Sequence, residues 1–264
     1  MCQHGAENYR KPDSHCQTKI TDQGGQTMAN AITRHIPNTI TSCNLFCGCI
    51  ASYMAFQGSY GLAFLFIVMG AVFDFFDGMS ARLLHVSSPL GKELDSLADD
   101  VTFGVAPSAM VFSLFHEVTY PEFLMPVAEY MPYTAFLISV FSALRLGKFN
   151  IDPRQSTSFI GLPTPANTLF WASLIVGAHD FLVSDSFNAL WLLVMVIVMS
   201  LLLIAEIPMF SLKFKNLSWE HNKTSYIFLI VSIPLLIFLR TGGFAAVIVW
   251  YILLSLITGR KKKQ

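Results

Sequence analysis

Residues 73–99 read FDFFDGMSARLLHVSSPLGKELDSLAD, and this acidic stretch lies between two apolar segments. Residues 60–73, where the stretch begins, and residues 101–115, just after it, contain no charged side chain. One charge near the bilayer centre costs about 2.5–3.5 kcal/mol on insertion scales, so aspartates in such segments are seldom accidental. The stretch therefore predicts a helical membrane protein whose buried carboxylates bind something positive.

Four of the aspartates fall at helical spacing. Asp74 and Asp77 are three residues apart and Asp95 and Asp99 are four apart, so each pair shares one face of a helix. Two such faces on antiparallel neighbours would bring four carboxylates together. Hard oxygen ligands of this kind suit Mg²⁺, Mn²⁺ or Ca²⁺ rather than zinc or copper. Two divalent cations would neutralise the four negative charges.

Small residues and an arginine accompany these aspartates. Gly78 and Gly91 have no side chain, so a ligand or a neighbouring backbone can approach closely. Arg82 is the fixed cation of the group, and its planar guanidinium matches a phosphate. Together with the carboxylates, these residues predict a site for a metal-bound diphosphate.

The composition of the whole chain agrees with a protein that crosses a membrane several times. Of its 264 residues, 53% are hydrophobic and only 13% are charged, whereas a soluble domain carries about 25% charged residues. A spanning helix needs about 20 mostly apolar residues. We therefore predict an all-α integral membrane protein with about eight spans, at residues 39–57, 60–80, 96–115, 126–146, 163–183, 187–209, 224–239 and 243–258.

Basic residues mark every second connection between the predicted spans. These connections contain Arg34, Arg82, Lys92, Arg145, Lys148, Arg154, Lys213, Lys215, Lys223 and the basic residues 260–263. The opposite connections contain a single Lys or Arg residue, Arg240. Because cytoplasmic loops are enriched in Lys and Arg, both termini and the opening of the aspartate site are predicted to be cytoplasmic.

The chain divides into three predicted regions. Residues 1–30 are polar and lack periodicity, so we predict disorder there, and Met28 is an alternative start for the protein. Residues 31–183 contain the acidic motif and form the predicted catalytic core. Residues 184–264 form the predicted C-terminal spans and basic tail.

The acidic motif resembles the signature of the CDP-alcohol phosphatidyltransferase family. It reads Asp74-x-x-Asp77-Gly78-x-x-Ala81-Arg82, then eight residues, then Gly91-x-x-x-Asp95-x-x-x-Asp99. Within that family, the bacterial and archaeal CDP-diacylglycerol–serine O-phosphatidyltransferases are similar to residues 36–51, 91–108, 142–150 and 159–167. The resemblance extends over residues 36–167.

This resemblance implies a membrane enzyme that transfers a phosphatidyl group from CDP-diacylglycerol to L-serine and releases CMP. It implies that two Mg²⁺ or Mn²⁺ ions are bound by Asp74, Asp77, Asp95 and Asp99. It implies that the cytidine diphosphate group is bound by Asp74, Gly78, Ala81, Arg82 and Gly91. Asp99 is also the implied general base for the incoming hydroxyl group.

The resemblance further implies a homodimer in the inner or cell membrane of a bacterium or archaeon, with membrane lipid and no nucleic acid as partners. Asp100 continues the acidic run, but its side chain points about 100° away from that of Asp99. We expect Asp100 to support a neighbouring ligand or to face the dimer partner.

The serine site is predicted from charge. A zwitterion needs a cation for its carboxylate and acceptors for its ammonium group. Arg145, Lys148 and Asn150 end the fourth predicted span on the side of the aspartates and are the candidates. Ordinary positive-inside flanking explains Lys148 almost as well.

Three other functions remain open at this point. A phosphatidylglycerophosphate synthase would use the same metal site with another alcohol. A cation or proton transporter would use intramembrane aspartates, but it would not need Gly78, Ala81 and Arg82 at fixed spacing. A catalytically silent scaffold would not need the complete aspartate set.

Overall fold

The computed structural model describes residues 14–86, 88–152, 160–209 and 219–261, with side chains described in 35–86, 88–152, 160–209 and 223–258. The α-helices of these residues are α1 (Ser14–Phe56), α2 (Tyr60–Leu83), α3 (Pro89–Asp100), α4 (Ala106–Phe115), α5 (Leu137–Ile151), α6 (Thr164–Gly177), α7 (His179–Leu182), α8 (Ala189–Ile204), α9 (Trp219–Leu239) and α10 (Gly243–Lys261). A π-helix (Val101–Val105) joins α3 to α4. No β-strand occurs in the described ranges, which contain two isolated bridges only.

Five described segments are long and apolar enough to cross a membrane: His35–Phe56, Tyr60–Leu83, Pro89–Phe115, Met131–Ile151 and Lys223–Thr258. The last of these contains both α9 and α10, the helical hairpin predicted for the seventh and eighth spans. Large apolar side chains such as Leu65 and Phe75 are more than half exposed on the helix surfaces, as expected where the solvent is lipid. The all-helical membrane architecture is therefore confirmed.

The fifth and sixth predicted spans are shorter in the structure than in the sequence prediction. They correspond to α6, with 14 residues, and α8, with 16 residues. After α8 the backbone turns to pair with residues 160–162 instead of continuing the helix. Gly161 N donates to Ile207 O at 3.0 Å and Leu162 N donates to Leu202 O at 2.9 Å. These bonds compete with helical ones and end α8 at Ile204.

The fourth span lies later in the chain than predicted. The sequence predicts residues 126–146, whereas the structure has Met131–Ile151. Pro126 and Pro132 lie in 3-10 turns before α5. Because proline lacks the N–H group and clashes with the preceding turn, a regular α-helix begins only at Leu137.

The first helix begins at Ser14, within the segment that the sequence predicts to be disordered. The backbone is helical from Ser14 onward, whereas the sequence predicts disorder through Asn30. Once the membrane-spanning part of α1 has nucleated a helix, each added residue gains a hydrogen bond, so the helix extends toward the N-terminus. Residues 1–13 of that prediction lie outside the described residues.

Close helix packing sets the π-helix that follows α3 against α1 and α2. A Cβ atom on Gly48 would lie 2.4 Å from Thr102 Oγ1, and one on Gly70 would lie 2.7 Å from Thr102 Cγ2. Glycine is therefore required where α1 and α2 approach Thr102, in keeping with the small residues found at membrane helix contacts. This packing brings the acidic end of α3 beside the acidic end of α2.

The π-helix follows Asp99 and Asp100 directly. Such bulges are rare and occur frequently at functional sites. The π-helix packs against α1, α5 and α6, with Thr102, Phe103 and Gly104 buried. It thus places the residues after the acidic motif at the centre of the bundle.

A polar cluster closes the end of the bundle that is remote from the aspartates. Tyr60 Oη donates to Glu117 Oε1 at 2.5 Å, and His179 Nε2 lies 2.8 Å from Glu117 Oε2. These three residues begin α2, follow α4 and begin α7, respectively. The cluster ties these elements together about 20 Å from Asp74, at 1.5 Å rise per helical residue.

Candidate active site

Three carboxylates meet between α2 and α3. Asp74 of α2 and Asp95 and Asp99 of α3 each place one carboxylate oxygen within 4.8 Å of the other two. Charges of one sign at this distance repel strongly away from bulk water unless a cation lies among them. The helical spacing in the sequence thus brings three of the four predicted ligands together.

The fourth predicted ligand, Asp77, lies one turn beyond Asp74 and outside this group of three. Its side chain is only 5% exposed. Among the described residues its Oδ2 atom has no hydrogen-bond partner. Asp77 lines a cavity together with Asp95, so its carboxylate is placed to meet a ligand bound there.

Asn44 of α1 holds the Asp99 carboxylate in position. Asn44 Nδ2 donates to Asp99 Oδ1 at 3.3 Å, and Asn44 Oδ1 accepts from Thr102 Oγ1 at 2.8 Å. Asn44 is fully buried. The amide is therefore fixed on one side by Thr102 and orients Asp99 on the other. The sequence analysis did not select Asn44, because a single amide in an apolar helix has no spacing signal.

A cavity of about 240 Å³ adjoins the acidic cluster between α1, α2 and α3. Besides Asp77 and Asp95, it is lined by Asn38, Thr41, Gly78, Ala81, Gly91 and Lys92. The cavity thus contains Gly78, Ala81 and Gly91 of the predicted nucleotide site. Asn38 and Thr41 were not predicted from the sequence.

Glycine is favoured at positions 78 and 91 of the motif for two different structural reasons. Among the described residues, no atom outside the adjoining backbone of α2 lies within 4 Å of a Cβ atom built on Gly78, so this glycine leaves open space at the cavity. A Cβ atom on Gly91 would lie 2.9 Å from Asn38 Oδ1 and 3.0 Å from Ser88 Oγ. Ser88 caps α3 by accepting from Gly91 N at 2.9 Å. Gly91 therefore serves the packing of α3 on α1.

Arg82 lies near the end of α2, and its side chain is exposed. Arg82 Nε donates to Gly78 O at 2.9 Å. This bond holds the guanidinium on the side of α2 where Gly78 lines the cavity. Arg82 itself does not line the cavity, whereas Gly78, to which it is bonded, does.

The three candidates for the serine site have different surroundings. Arg145 is 6% exposed, and its Nη1 donates to Thr164 Oγ1 at 2.9 Å. Lys148 is exposed and lines a cavity of about 190 Å³ together with Arg145. Asn150 Nδ2 donates to Ser96 Oγ at 2.8 Å, so this amide connects α5 to α3. Arg145 is the candidate that the bundle buries beside the acidic site.

Comparison with known proteins identifies the family. The profile of the CDP-alcohol phosphatidyltransferases matches residues 34–179, which is more than half of the chain. The protein belongs to this family. The matched region contains all four aspartates of the motif, Asn44 and Arg145.

Several relatives in this family carry the same name. The CDP-diacylglycerol–serine O-phosphatidyltransferase of Bacillus subtilis is 41% identical over 131 residues, which cover 50% of this chain and 70% of that protein. The Methanocaldococcus jannaschii protein of that name is 31% identical over 172 residues, covering 65% and 72%. The match to the Helicobacter pylori J99 protein of that name, 36% identical over 132 residues, spans 49% of this chain and 52% of that protein.

The acidic cluster fits the divalent cations that this family uses. Three converging carboxylates and the buried, unpartnered Oδ2 of Asp77 form an all-oxygen donor set. Such a set suits a hard cation, which would also remove the repulsion among the carboxylates. The donor atoms of this protein therefore match the divalent cations of its family.

Proposed function

We propose that this protein transfers the phosphatidyl group of CDP-diacylglycerol to L-serine, giving phosphatidylserine and CMP. The observation that carries the proposal is the convergence of Asp74, Asp95 and Asp99 beside a cavity lined by Gly78 and Ala81. The names of the relatives support serine as the acceptor.

The residues in and beside the cavity have separate proposed roles. Asp74, Asp77, Asp95 and Asp99 would hold Mg²⁺ or Mn²⁺, two per site, and these ions would neutralise the diphosphate charge. Gly78, Ala81 and Gly91 provide a floor without bulky side chains, and Arg82 binds a phosphate oxygen at the rim. The cytidine diphosphate group then lies between α1, α2 and α3.

Asp99 is the proposed general base. In the transfer, the serine hydroxyl oxygen forms a bond to the phosphorus that bears diacylglycerol, and the bond from that phosphorus to the CMP oxygen breaks. The hydroxyl proton passes to Asp99. Asn44 keeps the Asp99 carboxylate directed for this step, because its amide donates to Oδ1.

An apolar cavity offers room for the lipid part of the substrate. It has a volume of about 500 Å³ and is lined by Val72, Phe75, Phe76, Leu169 and Phe244, among others. Val72, Phe75 and Phe76 flank Asp74 along α2. An acyl chain in this cavity would therefore keep the diphosphate close to the acidic cluster.

The basic residues of the chain support a cytoplasmic active site. Arg82, Lys92 and Lys148 lie at the same end of the bundle as the aspartates, and this end corresponds to the basic loops of the sequence. Both termini would lie on that side. We also propose that the protein is a homodimer. The molecular mass of the purified protein in detergent, corrected for bound detergent, should then be twice that of one chain.

The function is tested with purified protein, CDP-diacylglycerol and one labelled alcohol at a time. We expect CMP release that requires L-serine and a divalent cation and stops when a chelator is added. Release with glycerol 3-phosphate in place of serine would instead identify a phosphatidylglycerophosphate synthase. Cation movement without CMP release would identify a transporter.

Replacement of Asn44 by Ala should lower kcat/KM for serine-dependent CMP release about 10- to 100-fold, as expected when a residue that orients a metal ligand is removed. The change leaves Asp99 without its amide donor. Ser52→Ala on the same helix is the control, because the Ser52 hydroxyl donates to Gly48 O of its own helix. An Asn44→Ala enzyme with normal kcat/KM would show that Asp99 needs no orientation.

Replacement of Gly78 by Ala should move stability and activity in opposite directions. Alanine stabilises a helix interior by up to about 1 kcal/mol relative to glycine, and its methyl group would contact no other element of the described structure. In the substrate complex the methyl group would overfill the cavity, so KM for CDP-diacylglycerol should rise about tenfold or more. Gly61→Ala at the other end of α2, where a Cβ is also unobstructed, should leave KM unchanged.

A further inference from the structure

The cavity between α1, α2 and α3 has a single cationic side chain among the described residues that line it, that of Lys92. Arg82, the cation of the acidic motif, does not line this cavity, and its Nε is bonded to Gly78 O of its own helix. Asp77 and Asp95 contribute two carboxylates to the same lining. The cation that an anionic ligand would meet inside the cavity is therefore Lys92.

Lys92 lies one helical turn before Asp95 on α3. Residues three apart share one face of a helix, and both side chains line the cavity. Gly91, the neighbour of Lys92, packs against Asn38 of α1, so α3 approaches α1 closely at this level. The Lys92 side chain is exposed. Its ammonium group can therefore meet a ligand anion without the desolvation cost of a buried charge.

A closed ring of three hydrogen bonds, here called the Lys92 ring, joins α3 to α5. Lys92 Nζ donates to Asn150 O at 3.2 Å, and Asn150 Nδ2 donates to Ser96 Oγ at 2.8 Å. Ser96 Oγ in turn donates to Lys92 O at 3.2 Å. Asn150 thus contacts the ammonium group with its backbone carbonyl and the serine hydroxyl with its side chain.

The carbonyl that accepts from Lys92 Nζ lies in the last turn of α5. This helix ends at Ile151, and the last four carbonyls of an α-helix have no intrahelical donor. A cation at this end of a helix is also favoured by the helix dipole. The Lys92 ring therefore stabilises one position of a side chain whose four-carbon stem is otherwise flexible.

The ring leaves hydrogen-bond donors for a ligand. An ammonium group has three N–H donors, and among the described contacts Asn150 O takes one of them. Bonds from a cation to a phosphate oxygen belong to the strong, charge-assisted class. A side chain that is already held in place loses less entropy when the ligand binds. Lys92 is thus prepared to bind a phosphate group in the cavity.

We propose that Lys92 binds the diphosphate of CDP-diacylglycerol and that Asn150, acting through Ser96, is a positioning residue for Lys92. The proposal rests on the proposed function, because it takes this lipid as the ligand of the cavity. Lys92 occupies a position at which the acidic motif specifies no residue. Asn150, which the sequence analysis selected for serine, is thereby assigned to the donor substrate.

Lys92→Met tests the role of the ammonium group, because methionine keeps much of the stem and removes the charge. We expect the Kd for CDP, titrated into detergent-purified protein with Mg²⁺ present, to rise about tenfold. This is the lower end of the range for a charged hydrogen bond, as suits an exposed residue. The Kd for cytidine, which lacks the diphosphate, should stay unchanged.

Lys223→Met is the matched control. Lys223 is an exposed lysine of α9 and does not line the cavity, so its loss should leave both dissociation constants unchanged. An unchanged Kd for CDP in Lys92→Met would refute phosphate binding by Lys92. Equal increases of Kd for CDP and cytidine would also refute it, because Lys92 would then only shape the cavity.

Asn150→Ala tests the positioning role, because alanine keeps the backbone carbonyl but releases Ser96. The Kd for CDP should rise about two- to tenfold, the range for a neutral hydrogen bond, and KM for L-serine should not change. In the Lys92→Met background the same change should have no further effect on Kd, since both residues act through one contact. Additive effects, or a raised KM for serine with a normal Kd for CDP, would refute this role of Asn150.

Binding of CDP needs no alcohol, so this proposal and the proposed function can fail separately. A wild-type protein that binds CDP through Lys92 but releases CMP only with glycerol 3-phosphate would refute serine as the acceptor and leave the assignment of Lys92 intact. Serine-dependent CMP release, together with a normal Kd for CDP and a normal KM for CDP-diacylglycerol in Lys92→Met, would refute the assignment of Lys92 alone.

Discussion

Replacement of Asp99 by Asn should reduce serine-dependent CMP release about 10²- to 10⁴-fold, the usual contribution of a positioned general base. Asparagine keeps the size of the side chain and the contact with Asn44, but it cannot take the hydroxyl proton and is a weaker ligand. Initial rates with saturating serine and CDP-diacylglycerol measure the effect. The protein should remain folded, because the change removes one of three crowded negative charges.

Glu93→Gln is the control for Asp99→Asn. Glu93 lies on the same helix, carries the same charge and is exposed outside the acidic cluster, so its neutralisation should leave the rate unchanged. If Asp99→Asn retained more than a tenth of the wild-type rate, neither the base nor the ligand role of Asp99 would stand.

Addition of Mg²⁺ or Mn²⁺ should raise the melting temperature of the detergent-purified protein. A cation present at 100 times its dissociation constant stabilises the folded state by about 2.7 kcal/mol. Asp74→Asn should lose most of this stabilisation, because it removes one of the three converging carboxylates. Without the cation, the same variant should be more stable than the wild type, since less repulsion remains in the cluster.

Sodium chloride at matched ionic strength distinguishes specific binding from general screening. It should raise the melting temperature of the wild type less than the divalent cation does. Equal stabilisation of the wild type and Asp74→Asn by Mg²⁺ would mean that the cation binds elsewhere. This measurement needs no substrate, so it tests the metal site separately from the reaction.

The sequence was most informative where a pattern is local. Charge-free segments beside aspartates identify membrane helices without any knowledge of tertiary structure. The spacings of Asp74 to Asp77 and of Asp95 to Asp99 likewise predict two shared helix faces and a cluster of four carboxylates. Asp74, Asp95 and Asp99 do converge, whereas Asp77 lies outside this group. The predicted position of the fourth span was wrong. Pro126 and Pro132 lie in 3-10 turns there, so the α-helix begins later within an otherwise apolar segment.

Features that depend on contacts between distant residues could not be read in this way. Asn44 is 55 residues from Asp99, and Asn38 approaches the Cβ position of Gly91 from another helix. Lys148 and Asn150 follow Arg145 closely in sequence, yet only Arg145 is buried. A residue's own neighbours in the chain do not reveal which helix will pack against it.

The sequence by itself determined the family, the all-helical membrane architecture and the residues of the acidic motif, because hydropathy and helical periodicity act within one segment. The tertiary structure decided which amide orients Asp99, why Gly78 and Gly91 differ and which of the three candidates on α5 is buried. The physical reason is that burial and hydrogen bonding depend on how close separate helices come. That distance is set by small residues such as Gly48, Gly70 and Gly104 at the contacts.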